Sequence, residues 1–223
     1  MPSTQSSFVL WVNGKPLFNP GEIISLSKKR LLIWGPGRSG TTAIISILSS
    51  LGFNVGLDVE RSSVLENVHL VQALKANDIN LAHDLILKES EGFESFAIKV
   101  PLLRAHPELL LKLSGCWGNI AVFRNPLAVA LRNYAGTDDF AIYYKRAISE
   151  AVRTEWMLRR ISSQGAFAIS CNYDILRNNP FDSIKELAQL LGMAEPSCVD
   201  LRACCERLGE SFNRYNEVHP FAF

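Results

Sequence analysis

No stretch of this sequence approaches the ~20 consecutive apolar residues that span a bilayer, so stable membrane insertion is not expected. Charge of one sign is not in surplus either, since 23 Lys and Arg face 22 Asp and Glu, for a net charge of +1. That balance gives no general argument for nucleic acid or an anionic surface as partner, and any anion site must be built locally. Cysteine is sparse and unpatterned. Cys116, Cys171, Cys198, Cys204 and Cys205 form an odd set without a C-x-x-C pair, whereas disulfide frameworks belong to small secreted domains. The opening MPSTQSSFVLWVNGK lacks a basic segment followed by a sustained apolar core and does not read as a signal peptide. Reduced thiols in a cytoplasmic protein are the expectation. Internal repeats and low-complexity linkers are missing as well, which excludes solenoids and arrays.

What remains suits one domain over residues 1–223, with 48% apolar and 20% charged residues, enough to bury a substantial core. Residues 1–29 look like an appendage. FVLWVNG alternates as a strand does, and Asn13-Gly14 before Lys15-Pro16 reads as a turn, so a β-hairpin packed on the domain is expected. A regular pattern begins at Arg30. Residues 31–34 form a short apolar run, GPGRSGTT follows at 35–42, and Ile44, Ile45, Ile47, Leu48 and Leu51 then fall at helical spacing before Gly52. Apolar runs at 96–100, 120–123 and 166–171 suit strands buried on both faces. Helical segments are expected at 106–113, at 126–134 with Asn125 as cap and Pro126 at the first position, at 138–163, and from Pro180 to Gly192. Strands separated by helices imply right-handed crossovers. The fold class expected is α/β, a three-layer P-loop fold with a central, mainly parallel sheet flanked by helices.

The segment at 35–42 has the ingredients of a phosphate loop. Glycines let backbone N–H groups converge on one point, and a helix N-terminus adds partial positive charge. The NTPase signature is G-x-x-x-x-G-K-[ST]. Here Gly35 and Gly40 have the right spacing, but Thr41 stands where lysine should, and the cation sits inside the loop as Arg38. That lysine ordinarily reaches the β- and γ-phosphates of a nucleoside triphosphate.

GPGRSGTT resembles the 5′-phosphosulfate-binding loop of sulfotransferases, in which Lys or Arg precedes Ser-Gly-Thr. NIAVFRNPLAVAL (119–131) resembles that family's 3′-phosphate motif, and CNYDILRNNPFDSIKELAQLLGM (171–193) resembles its tyrosine-acidic-x-leucine segment and closing helix. With FAIKVP, these segments are scattered over 31–193, about three quarters of the chain. The resemblance implies 3′-phosphoadenosine 5′-phosphosulfate as co-substrate. Gly37, Arg38, Ser39, Gly40, Thr41 and Thr42 would hold its 5′ end, Arg124 its 3′-phosphate, and Tyr173 would lie near the adenine. Arg132 stands where the family usually has a second 3′-phosphate ligand, a serine. Ala43 replaces the usual aromatic stacker.

Lys99 matches a lysine that approaches the sulfuryl group in the resembling enzymes. The histidine expected two residues later is Pro101. Some relatives use a carboxylate some twenty residues past the loop, which here gives Glu60, preferred, and Asp58 as candidate bases; His69, His83 and His106 remain spare. A sulfuryl group carries less negative charge than a phosphoryl group, so no metal is demanded. Two other readings stand beside this one: a non-catalytic nucleotide-binding protein of the same fold, and an atypical P-loop kinase. The expected acceptor is a small molecule or glycan, bound by the segments at 58–79, 137–144 and 215–223. A homo-oligomer is open, and no nucleic acid partner is expected.

Overall fold

The computed structural model describes residues 6–17, 29–55, 67–134 and 139–216. Among them, six strands form one sheet in the order β2-β1-β6-β5-β3-β4. β3 (Lys29–Trp34), β4 (Ser95–Lys99), β5 (Gly118–Phe123) and β6 (Ala168–Asn172) run parallel to one another. β1 (Phe8–Val12) pairs antiparallel with both β2 (Lys15–Leu17) and β6. The hairpin expected as an appendage is therefore an extension of the central sheet, in register from Phe8 opposite Cys171 to Trp11 opposite Ala168. The reason lies in its side chains. Phe8 and Leu10 enter the core on one face of the sheet and Trp11 on the other, so the strand is buried on both sides.

The same alternation builds the three layers. Leu31 and Ile33 of β3 pack with Ile44, Ile45, Ile47 and Leu48 of α1 (Thr41–Ser50), and with α8 (Pro180–Leu190) and α9 (Cys198–Asn216). Leu32 and Trp34 face the other way, against α2 (Val68–Lys75), α3 (Ile79–Glu89), α4 (Pro107–Ser114) and α6 (Phe140–Ser163). The long segment expected at 138–163 is one helix, started by Asp139, whose side chain accepts from Ala141 N. α5 (Pro126–Asn133) begins as its sequence requires, with the Asn125 side chain accepting from Leu127 N and Pro126 at the first position. Four helices were not legible beforehand: α2, α3, α9 and the short α7 (Tyr173–Asn178). The segment 58–79, read as a variable loop, contains α2 from Val68 onward.

All five cysteines are free thiols. Burial, with the Glu186 carboxylate adding to it, pushes the Cys171 thiol well above its ordinary value. Such a thiol is a packing group rather than a nucleophile. No helix of the described residues is long and apolar enough to cross a membrane.

Candidate active site

The four parallel strands end side by side, and they bring the glycine loop, two cations and a tyrosine to the same edge. β3 passes from Trp34 into Gly35, β4 ends on Lys99, β5 passes from Phe123 into Arg124, and β6 passes from Asn172 into Tyr173. In open α/β sheets this carboxyl edge is where ligands bind.

The glycine stretch lies, as its sequence requires, between a buried strand and a helix. Ser39 N donates to Pro36 O at 3.2 Å, closing a turn over 36–39. Within the turn Arg38 is exposed and adopts a left-handed backbone with φ of 66°, a conformation costing a non-glycine residue about 1 kcal/mol or more. Ser39 is fully buried, and its Oγ has no hydrogen-bond partner among the described residues. Gly40 caps α1 with φ of 106°. Ala43 N makes a 2.9 Å bond back to Gly40 O, so the amides of Thr41 and Thr42 precede the ladder and carry no intrahelical partner. Close approach fixes the loop's entry. A Cβ on Gly35 would stand 2.5 Å from Val122 O of the neighbouring strand.

Lys99 connects the next strand to this loop. It is only 4% exposed, and its Nζ donates to Thr42 Oγ1 at 2.9 Å. Transferring an ammonium group from water into the protein is costly unless it is held by polar partners, so its place at the loop is tightly determined.

Arg124 and Tyr173 meet the loop from β5 and β6. A Cβ placed on Gly40 would fall 2.1 Å from Tyr173 Cδ2, which puts the tyrosine ring directly against the glycine. The same ring lies 5.1 Å from Arg124 Cζ, centroid to guanidinium. Tyr173, two residues beyond the strand expected at 166–171, opens α7 and is 4% exposed. Asn172 causes this, because its Oδ1 accepts from Asp174 N and Ile175 N and starts a helix at once. Asp174 then holds the next strand's exit: its Oδ2 accepts from Asn125 N at 2.8 Å, and its Oδ1 stands 3.6 Å from Arg124 Nε. The Arg124 side chain is 10% exposed, and its Nε and Nη1 are buried without a hydrogen-bond partner among the described residues. Buried guanidinium donors are rarely left so, because an unsatisfied charged donor costs several kcal/mol.

Arg132 lies half-buried on α5, about two turns beyond Arg124. Asp58 and Glu60, the candidate bases, lie outside the described residues. His69 is exposed on α2, and His83 is half-buried on α3 with its Nδ1 3.3 Å from Asp84 Oδ1. His106 precedes α4; burial lowers its affinity for a proton, partly opposed by a hydrogen bond to the Leu74 backbone.

One bracing group was not anticipated. Arg104, in the 3-10 turn Pro101–Ala105 just after Lys99, donates from Nη1 to Pro101 O at 2.7 Å and to Gly35 O at 3.4 Å. Its Nη2 meets Glu150 Oε1 of α6 at 3.2 Å. Arg104 thus gathers the first carbonyl of the glycine loop and the carbonyl after the Lys99 strand, turning both toward a cation. Only its position five residues past Lys99 was visible in sequence; Glu150 is 46 residues further on.

No family model matches the chain, and no curated protein matches it in sequence. Solved structures do match. A sulfotransferase from Alicyclobacillus acidocaldarius superposes with a TM-score of 0.54 at 12% identity, covering 85% of this chain and 93% of that one. The sulfotransferase domain of the Synechococcus PCC 7002 olefin synthase gives 0.52 at 15% identity, over 82% of this chain and 78% of that one. A sulfotransferase from Mycobacterium tuberculosis H37Rv gives 0.51 at 11% identity, over 86% and 76%. On the ground of these likenesses the chain has the fold of the sulfotransferases.

Proposed function

We propose that this chain is a sulfotransferase that takes a sulfuryl group from 3′-phosphoadenosine 5′-phosphosulfate and passes it to a hydroxyl or amine acceptor. The observation that carries the reading is Arg124. Its buried Nε and Nη1, without a hydrogen-bond partner among the described residues, lie one aromatic ring away from the glycine loop. A loop with open amides and a separate buried guanidinium fit a nucleotide with anionic groups at two places better than a linear triphosphate.

In this reading Gly37, Arg38, Ser39, Gly40, Thr41 and Thr42 hold the 5′ end of the donor, and Arg124, joined by Arg132, holds its 3′-phosphate. The donor supplies the activated sulfuryl group. Lys99, buried beside Thr42, offsets charge gathering on the bridging and sulfuryl oxygens. Arg38, exposed within the same loop, pairs with the 5′-phosphate or the bridging oxygen. Glu60, with Asp58 as its alternative, takes the acceptor's proton as the new S–O (or S–N) bond forms, while the bond from sulfur to the bridging oxygen breaks and adenosine 3′,5′-bisphosphate leaves with its electron pair. Transfer is expected without a divalent metal. The acceptor is a small molecule or glycan, and the site of action is the cytoplasm.

The test is transfer itself. Radiolabelled donor is incubated with a pool of phenols, sugars and primary amines, with wild type, Lys99→Ala and Glu60→Gln. Labelled ester or sulfamate should form with wild type and fall steeply in both variants. Label released at the same low rate in all three would point to a nucleotide-binding protein without transfer activity.

A further inference from the structure

We propose that Tyr173 is a positioning residue that fixes the Arg124 guanidinium relative to the glycine loop, and that this spacing makes the chain select nucleotides phosphorylated at both the 5′ and 3′ positions. The inference rests on the nucleotide reading above and adds to it a residue role that the family resemblance does not give, since the resemblance puts this tyrosine near adenine.

The ring touches the loop and the arginine at once. Its edge at Cδ2 occupies the space where a Gly40 Cβ would stand, at 2.1 Å, and Arg124 Cζ lies 5.1 Å from its centroid. At 4% exposure it has little surface left for stacking on a base. Its own pose is held from the backbone. Asn172 Oδ1 binds Asp174 N at 3.0 Å and Ile175 N at 3.2 Å, fixing the first turn of α7 from which the ring projects. Asp174, the next residue, binds Asn125 N at 2.8 Å and so fixes the chain on the far side of Arg124. One helix turn therefore sets the arginine twice, through the Tyr173 ring 5.1 Å from its Cζ and through Asp174, whose carboxylate binds Asn125 N and stands 3.6 Å from Arg124 Nε. A guanidinium held over an aromatic ring keeps N–H groups available to an anion, and less of its freedom is lost on binding. The cost of that arrangement is visible at residue 40, where only glycine fits.

Affinities for adenosine 3′,5′-bisphosphate and for adenosine 5′-monophosphate are measured by calorimetry with wild type, Tyr173→Phe and Tyr173→Leu, alongside thermal melting of each. Wild type and Tyr173→Phe should prefer the bisphosphate. Tyr173→Leu should lose about tenfold in affinity for the bisphosphate and about twofold or less for the monophosphate. Equal losses for both ligands, or a phenylalanine variant that behaves like the leucine one, would overturn the proposal. A second readout stands apart from the nucleotide reading: the Arg124 Nε–H resonance should be shifted upfield by the ring in wild type and Tyr173→Phe and move downfield in Tyr173→Leu. If wild type fails to discriminate the ligands, the nucleotide reading falls while this signal still judges the positioning role. An unchanged resonance in Tyr173→Leu ends that role too.

Discussion

Lys99 Nζ donates to Thr42 Oγ1 at 2.9 Å, so the last residue of β4 is tied to the second residue of α1, 57 positions earlier in the chain. This bond joins two segments whose roles had been read separately in sequence, one as a loop for a nucleotide's 5′ end and one as a strand-terminal cation. It also makes the two groups separable by mutation. Lys99→Ala should lower transfer by about 10²–10³-fold in kcat, the range seen when one charge-stabilising donor is removed. Nucleotide affinity should change by about tenfold or less, because the loop amides remain. A large loss of affinity with unaltered turnover would assign Lys99 to ground-state binding instead.

Gly40→Ala should destabilise the protein by roughly 1–3 kcal/mol, since φ of 106° is strained for alanine and the new methyl meets the Tyr173 ring. The two causes can be told apart. In a Tyr173→Leu background the steric part should be relieved, leaving a coupling of roughly 0.5–3 kcal/mol in a double-mutant cycle from denaturant unfolding. Strict additivity would show that ring and glycine do not press on each other.

Arg104→Ala should cost roughly 1.5–3 kcal/mol. Its bonds to Gly35 O and Pro101 O and its pairing with Glu150 are charge-assisted, and the two side chains are 14% and 20% exposed. Arg159, paired with Glu155 on the same long helix, is a control: with side chains 56% and 47% exposed, its replacement should cost about 1 kcal/mol or less. Similar losses for the two variants in urea unfolding would mean that Arg104 does not brace the loop.

Stability should fall with acidity in a component that belongs to His106. Burial holds this imidazole below its usual value near 6.5 in the folded state, against the opposing bond to the Leu74 backbone. As pH drops through that usual value the unfolded chain takes the proton first, so folding is penalised below about pH 6.5 and not above it. Unfolding free energies between pH 7.5 and 5.5 should show a shallower slope in His106→Gln than in wild type. Identical slopes would remove His106 from the account.

The parts of this fold that sequence disclosed are those whose signals are local. Gly35, Gly40 and the apolar spacing from Ile44 to Leu51 marked the strand, loop and helix around 35–42, and Asn125-Pro126 marked the start of α5. The parts it concealed depend on distant partners. β1 looked like an appendage because nothing in FVLWV reports that β6 lies beside it. The start of α7 at Tyr173 was concealed because AISCN runs straight into it, although Asn172 carried the capping signal. α9 was concealed although Leu201, Cys204 and Leu208 fall at helical spacing, since Gly209 interrupts the pattern and few other apolar residues extend it. Arg104 and Glu150 meet only because the 3-10 turn and α6 pack on the same face of the sheet.

The central claim is that the carboxyl edge of β3, β4, β5 and β6 holds a nucleotide with separate 5′ and 3′ anionic groups. Titration calorimetry of the wild-type chain with adenosine 3′,5′-bisphosphate, set against Mg-ATP under the same salt, tests it most directly. The bisphosphate should bind more tightly, and Arg124→Ala should abolish that advantage; tighter binding of Mg-ATP would contradict the account.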